Sequence, residues 1–192
     1  MENIHYILGI IGGIISATAF VPYITSILKK QTKPNRVSWI IWNITNVILL
    51  TSYFAVGARA TIFLPLAYVF NAFIVLILCF RYSVTVWSKL DYVSLLVAGL
   101  SLIIWFLTKN PLLVLLMNLT MDIVAYLPTI KKSYINPFSE NRTFWIFIFL
   151  GACFNLLAIN EFSFGVIIYP VVMFISNGIL VTVLFRKNIF RT

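Results

Sequence analysis

Residues 20–39 read FVPYITSILKKQTKPNRVSW, and residues 126–145 read YLPTIKKSYINPFSENRTFW. The second stretch lies 106 residues beyond the first, and the two align without a gap. Pro22 falls on Pro128, Asn35-Arg36 on Asn141-Arg142, and Trp39-Ile40 on Trp145-Ile146. At the same shift Asn71 falls on Asn177. The matches are proline, asparagine, arginine and tryptophan, which chance similarity among Leu- and Ile-rich segments would not select. The chain therefore reads as an internal duplication.

The flanks of the repeat say what is duplicated. Of 192 residues, 61% are apolar and only 10% are charged, with a mean hydropathy of +1.02. An ordinary soluble domain holds about 45–50% apolar and about 25% charged residues. A soluble fold of this size could not hide so much apolar surface, and a disordered chain would not carry it. An integral membrane protein follows, with the lipid bilayer as its solvent. Seven apolar segments read as spans: His5–Leu28, Val37–Val56, Thr61–Tyr82, Asp91–Leu107, Pro111–Ile130, Thr143–Ile159 and Ser163–Phe185. Each comes near the roughly 20 residues a spanning helix needs, and a helix satisfies its own backbone in lipid. The expected fold class is all-α, with seven transmembrane helices. Residues 1–86 form a first three-helix repeat, 87–109 a linker transmembrane helix, and 110–192 a second three-helix repeat. A single span between two three-span units makes the two bundles parallel rather than inverted.

Charge sets the expected direction. The net charge of +9 comes from 14 Lys+Arg and 5 Asp+Glu. These charges sit in short loops, so they point to membrane orientation and not to a nucleic-acid partner. Twelve lysines and arginines fall in the loops after spans one, three and five and in the C-terminal tail; only Arg59 and Lys109 fall on the other side. The positive-inside rule then puts the N-terminus outside and the C-terminus in the cytosol. The triplet Ala17-Thr18-Ala19 resembles a signal-peptide cleavage site, but the residues before it carry Glu2 and His5 and no Lys or Arg. Signal peptides want a positive N-terminal region. With no sorting tail to read, a bacterial inner membrane is the expected location.

Chemistry-bearing residues are few. Cys79 and Cys153 lie inside spans, and His5 is the one histidine. No zinc, nucleophile-elbow or phosphate-loop motif occurs. The chain is expected to be no enzyme and to carry no cofactor and no metal.

The quoted stretches resemble the PQ-loop signature, in which a proline late in a span precedes a basic loop and a Ser-bearing second span. The three-one-three order and outside N-terminus are similar to the SWEET and PQ-loop transporter superfamily across nearly the whole chain. Tyr23 and Thr129 stand where that signature has glutamine after the proline, and spans two and six hold no proline. The resemblance implies two three-helix bundles that move a small polar solute by alternating access, a sugar first of all. In such proteins asparagines of the third and seventh spans line the sugar site, which implies that role for Asn71 and Asn177.

Depth supports a site at that level. At about 1.5 Å per residue, Asn71 lies roughly 15 Å along its span, near the midplane. Asp122 and Asn46 lie at similar depth in theirs, and Asn177 somewhat deeper. Polar groups in lipid are costly unless they face protein or a watery cavity, and carriers bind solute at the midplane. Asparagine offers donor and acceptor together, which suits hydroxyl-rich solutes; the competing role is interhelical bonding. Trp39, Trp42, Asn46 and Tyr53 share one face of span two. Trp42, Asn46 and Tyr53 are read as pocket walls, and Trp39 and Trp145 as an interfacial aromatic belt. Asp122 is the one carboxylate deep in a span. It is a candidate proton or cation site, with Asn118 four residues earlier on the same face; its mate in the repeat is Ser16. Pro22 and Pro128 are candidate hinges for inner gates. Gly9 and Gly13 make a GxxxG face suited to close packing within the monomer or in a homo-oligomer.

Three functions remain open from sequence: a sugar uniporter, a proton-coupled carrier of an amino acid or vitamin precursor that uses Asp122, and a non-transporting receptor on the same architecture, as KDEL-retrieval receptors are.

Overall fold

The computed structural model describes residues 2–30, 34, 36–83, 87, 89–135, 137 and 140–189. Among them stand seven α-helices and no strand. These are α1 (Glu2–Leu28), α2 (Arg36–Ala55), α3 (Phe63–Tyr82), α4 (Lys89–Thr108), α5 (Pro111–Ile135), α6 (Arg142–Leu157) and α7 (Phe164–Ile189). A single 3-10 turn, Ala60–Ile62, leads into α3.

Local chemistry sets several boundaries. Gly57 ends the turn after α2 at φ +107°, a left-handed position that costs glycine nothing, and its N–H reaches Phe54 O at 3.1 Å. Pro111 opens α5, where its missing N–H has no helical acceptor to serve, and Asn110 Oδ1 accepts from Leu112 N at 3.0 Å. The Asn141 side chain caps α6 by accepting from Phe144 N at 3.0 Å. Helices α5 and α7 run past their expected ends at Ile130 and Phe185. Lys131, Lys132, Arg186 and Lys187 are good helix formers, so the polar flank continues the helix.

Five helical segments are long and apolar enough to cross a membrane: α1, α2, α3 with its leading turn, α5 and α7. The apolar parts of α4 and α6, Tyr92–Thr108 and Arg142–Leu157, are shorter. The 16 residues of α6 make about 24 Å at ~1.5 Å each, against a hydrocarbon core of about 30 Å.

Helix α1 packs on α3 and α6, α2 on α3 and α5, and α7 on α5 and α6, while α4 lies against α2 and α5. Replacing α1, α2 and α3 by α5, α6 and α7 turns each of the first three-helix contacts into another contact of the same structure. Thus α1–α3 answers to α5–α7, α2–α3 to α6–α7, and α1–α6 to α5–α2. Helix α4 stands outside this exchange.

The buried core has two ends. Leu49, Tyr53, Ala58, Leu64, Leu115, Leu119, Ala152, Val166, Tyr169 and Met173 form one cluster. It draws on α2, α3, α5, α6 and α7 at the end that holds the turns after α2 and α6. At the opposite end Ile27, Trp39, Ala72, Val75 and Cys79 form a cluster within α1, α2 and α3. Trp39 is thus inside the protein, beneath Tyr23 at a ring separation of 5.7 Å. The aromatic belt expected of it is corrected: the α1–α2–α3 contacts cover its ring before lipid can reach it.

The GxxxG face is also placed. A side chain on Gly13 would come within 2.8 Å of Phe63 O, and one on Gly9 would run into Ala60 O. Both glycines therefore serve packing within the monomer, of α1 on the start of α3.

Candidate functional site

Asp122 sits in the middle of α5, partly buried, and makes no ion pair or hydrogen bond among the described residues. Three tyrosines stand within electrostatic reach of its carboxyl: Tyr68 of α3, Tyr126 one turn along α5, and Tyr169 of α7. Tyr126 donates to Asn177 Oδ1 at 2.9 Å. The Tyr68 hydroxyl faces Ser16 of α1 without closing a hydrogen bond. Four helices thus bring polar groups to one region at membrane depth.

Small residues make this convergence possible. A side chain on Gly12 would lie 2.9 Å from Gly151 O and 3.1 Å from Phe154 Cβ. A side chain on Gly151 would collide with Ser16 Oγ. The paired glycines let α1 and α6 touch backbone to backbone, which sets Ser16 deep in the seam. Ser16 Oγ, Tyr68 OH and Tyr169 OH are buried with no hydrogen-bond partner among the described residues. Both polar atoms of Asn155, one turn beyond Gly151, are in the same condition. Buried polar atoms in folded proteins are nearly always paired, and each unpaired one costs about 1–3 kcal/mol. Their concentration here singles out the region.

The two asparagines of the repeat make the same first bond. Asn71 Nδ2 donates to Ala67 O at 2.8 Å, and Asn177 Nδ2 to Met173 O at 2.7 Å. They differ at the oxygen. That of Asn177 accepts from Tyr126, whereas the position matching Tyr126 in the first half is Phe20, which has no hydroxyl. No hydrogen bond among the described residues joins Asn71 to Asn177.

The other expected site residues part company. Along α2, Trp42 is 44% exposed and packs edge-on to Trp39 at 5.0 Å. Asn46 is partly buried without a hydrogen bond among the described residues. Tyr53 is fully buried in the larger core cluster. Its hydroxyl donates to Val166 O at 2.7 Å and shares a 2.7 Å hydrogen bond with the Thr61 hydroxyl. Exposure therefore falls along this face from Trp42 to Tyr53, and the Tyr53 hydroxyl is committed within the core. Asn118 turns towards α4: its Nδ2 donates to Val114 O at 2.9 Å and to Ser101 Oγ at 3.4 Å. No hydrogen bond links it to Asp122. Pro22 lies within α1 and leaves the Thr18 carbonyl without its helical donor. The backbone of α5 runs through Pro128, whose side chain lies outside the described residues.

Sequence reasoning passed over Tyr68, Tyr126, Tyr169 and Asn155. Tyr126 had a signal, four residues from Asp122 on the same helical face. Tyr68 and Tyr169 had none, because the rotation of α3 and α7 decides which tyrosines meet α5. No group of three or more His, Cys, Asp or Glu able to hold a metal occurs among the described residues.

No family model, curated protein or solved structure matches this chain.

Proposed function

We propose that the chain is a seven-span membrane carrier that moves a small polar solute by alternating access between two parallel three-helix units. The carrying observation is the exchange relation in the packing: the contacts of α1, α2 and α3 recur as those of α5, α6 and α7. A linker helix outside that relation is what two same-sense units require. The 106-residue sequence repeat supports the same division.

The arginines of the repeat support it in atomic detail. Arg36 opens α2 and donates from Nε and Nη2 to Cys79 O, at 3.3 and 3.2 Å, near the end of α3. Arg142 opens α6 and donates to Leu184 O at 3.0 Å, near the end of α7. Each guanidinium also lies over a phenylalanine, Phe80 or Phe185, at 5.7 and 5.0 Å. A cation near a helix C-terminus complements the helix dipole. Each clamp ties the second helix of its unit to the third, while α1 and α5 carry Pro22 and Pro128 as candidate hinges.

The core clusters fit a carrier closed at one end. Tyr53, Thr61 and Val166 join α2, the 3-10 turn and α7 across the two units. With the N-terminus outside, as the loop charges favour, this closed end faces outwards. Tyr53 then serves as part of the closure and the Asp122 region as the solute level, open in turn to either side.

Sugar is the solute that the SWEET-like arrangement favours. A second reading, a proton-coupled carrier of an amino acid or vitamin precursor, is favoured by Asp122, which has no counter-ion among the described residues. Uptake into proteoliposomes separates them. The panel is hexoses, disaccharides, amino acids and nicotinamide riboside, each with and without an inward proton gradient. Sugar equilibration that ignores pH and is lost in Asn71→Ala supports the uniporter. Gradient-driven accumulation that is lost in Asp122→Asn supports the coupled carrier. No uptake of any solute by well-inserted protein leaves a solute outside the panel or a receptor as the better reading.

A further inference from the structure

We infer that the site around Asp122 receives a primary ammonium group, with the Asp122 carboxylate as its counter-charge and the hydroxyls of Ser16, Tyr68 and Tyr169 as surrounding acceptors. The inference rests on the carrier reading and names the substrate class of that same site.

A carboxylate without a counter-ion among the described residues, beside unspent hydroxyls, points to a cation that donates hydrogen bonds. An ammonium brings three N–H donors and no acceptor. The site offers one carboxylate and three hydroxyls without a closed hydrogen bond among the described residues, those of Tyr68 and Ser16 facing each other. Ser16 and Tyr169 are each at least 99% buried, so no bulk water serves them. A neutral polyol could use the same hydroxyls, which donate as well as accept, but it would leave the Asp122 charge unmatched. Asn177 gives one N–H to Met173 O and its oxygen accepts from Tyr126, and Asn71 gives one N–H to Ala67 O. A charged amine matches the Asp122 charge and spends its N–H donors on the hydroxyl oxygens.

Electrostatics agree. The cations whose contacts are described are occupied at the ends of the helices: Arg36 and Arg142 on α3 and α7, Arg186 on Tyr134 O, and Arg59 on Phe54 O and Ala58 O. Tyrosine rings beside the acid add faces that attract a cation. A hard metal ion calls for several carboxylate or carbonyl oxygens, and Asp122 belongs to no group of three or more His, Cys, Asp or Glu. A bare proton would occupy Asp122 and leave the three hydroxyls as they are.

The test is binding to the purified full chain in detergent, read as the shift of the thermal midpoint with ethanolamine, putrescine or glucose. Ethanolamine and putrescine are expected to raise the midpoint where glucose does not. Asp122→Asn is expected to weaken amine binding about 10- to 100-fold, the range for a hydrogen bond to a charged group. Tyr169→Phe is the second variant, and it removes an unpartnered buried hydroxyl. It is expected to leave the free protein as stable or more stable and to weaken amine binding about 3- to 10-fold. A purely structural tyrosine would show no such split. Glucose binding without amine binding overturns the inference while leaving the carrier reading intact. Equal amine binding by Asp122→Asn and the unaltered protein, or no midpoint shift with either amine, also overturns it. Amine binding with no uptake into proteoliposomes upholds the amine site and overturns transport.

Discussion

Tyr53 shows how one residue is fixed by a defect elsewhere. In α7 the carbonyl of Val166 would accept from the N–H of residue 170, but Pro170 has none. The Tyr53 hydroxyl supplies that donor at 2.7 Å, from a different helix. Tyr53→Phe is therefore expected to lose about 1–3 kcal/mol, the cost of a buried carbonyl left unmet. Pro170→Ala restores the helical donor, so the loss caused by Tyr53→Phe should shrink in the Pro170→Ala background. A double-mutant cycle on thermal midpoints reads that coupling; strict additivity would remove the link between the two residues. The asparagine pair gives a second contrast. Asn177→Ala strands the Tyr126 hydroxyl, whereas Asn71→Ala removes only a bond within its own helix. Asn177→Ala should therefore be the less stable variant, by about 1 kcal/mol or more, on the same measurement. Sequence marked both asparagines and the depth of Asp122, because polar residues stand out in apolar runs. It could not mark Tyr68 and Tyr169, which are two among nine tyrosines and gain their meaning from helix rotation alone.

At the scale of the element, the seam between α1 and α6 is set by Gly12, Gly151 and Ser16. Gly151→Ala would push its methyl into Ser16 Oγ and to 2.8 Å from Gly12 O. Backbone on one side and a short buried side chain on the other have little room to yield. The expected cost is about 1–3 kcal/mol, as for other overpacked contacts. Gly99 of α4 is the control, since nothing lies within 4 Å of a side chain added there. Gly99→Ala should be neutral or gain up to about 1 kcal/mol from helix propensity. Equal effects of the two substitutions would show that the seam is not close-packed. The seven helices were legible because apolar runs have only helical solutions in lipid, and five of them are long and apolar enough to cross a membrane. The Arg36 and Arg142 clamps were legible only as a coincidence of spacing. Their acceptors, Cys79 O and Leu184 O, are backbone atoms more than 40 residues away, and sequence carries no mark of a carbonyl. Helix α4 is apolar but short and has no repeat mate, and Asn118 and Ser101 make its polar seat on α5.

For the molecule as a whole, composition, the repeat and the loop charges point to one architecture, and its sidedness is open to direct measurement. The end that carries the larger core cluster holds Arg59 in the turn after α2, and the opposite end holds Lys131 late in α5, both solvent-exposed. Of the native cysteines, Cys79 is buried and Cys153 only partly so, and replacing both by alanine gives a silent background. Single cysteines at the positions of Arg59 and Lys131 can then be exposed to a membrane-impermeant maleimide on intact cells. With the N-terminus outside, Arg59→Cys labels at once and Lys131→Cys only after permeabilisation; the reverse pattern overturns the orientation. A third position reads the closure. Thr61 is fully buried beneath Tyr53, so Thr61→Cys should resist external label while the outer end is shut. Adding Tyr53→Phe removes the hydroxyl that spans α2, the turn and α7, and labelling should rise several-fold if that contact holds the two units together. Unchanged protection at Thr61→Cys with Arg59→Cys still labelled would mean that apolar packing around Leu49, Leu64 and Val166 keeps the end closed without the hydrogen bonds, and that Tyr53 supports α7 rather than the closure.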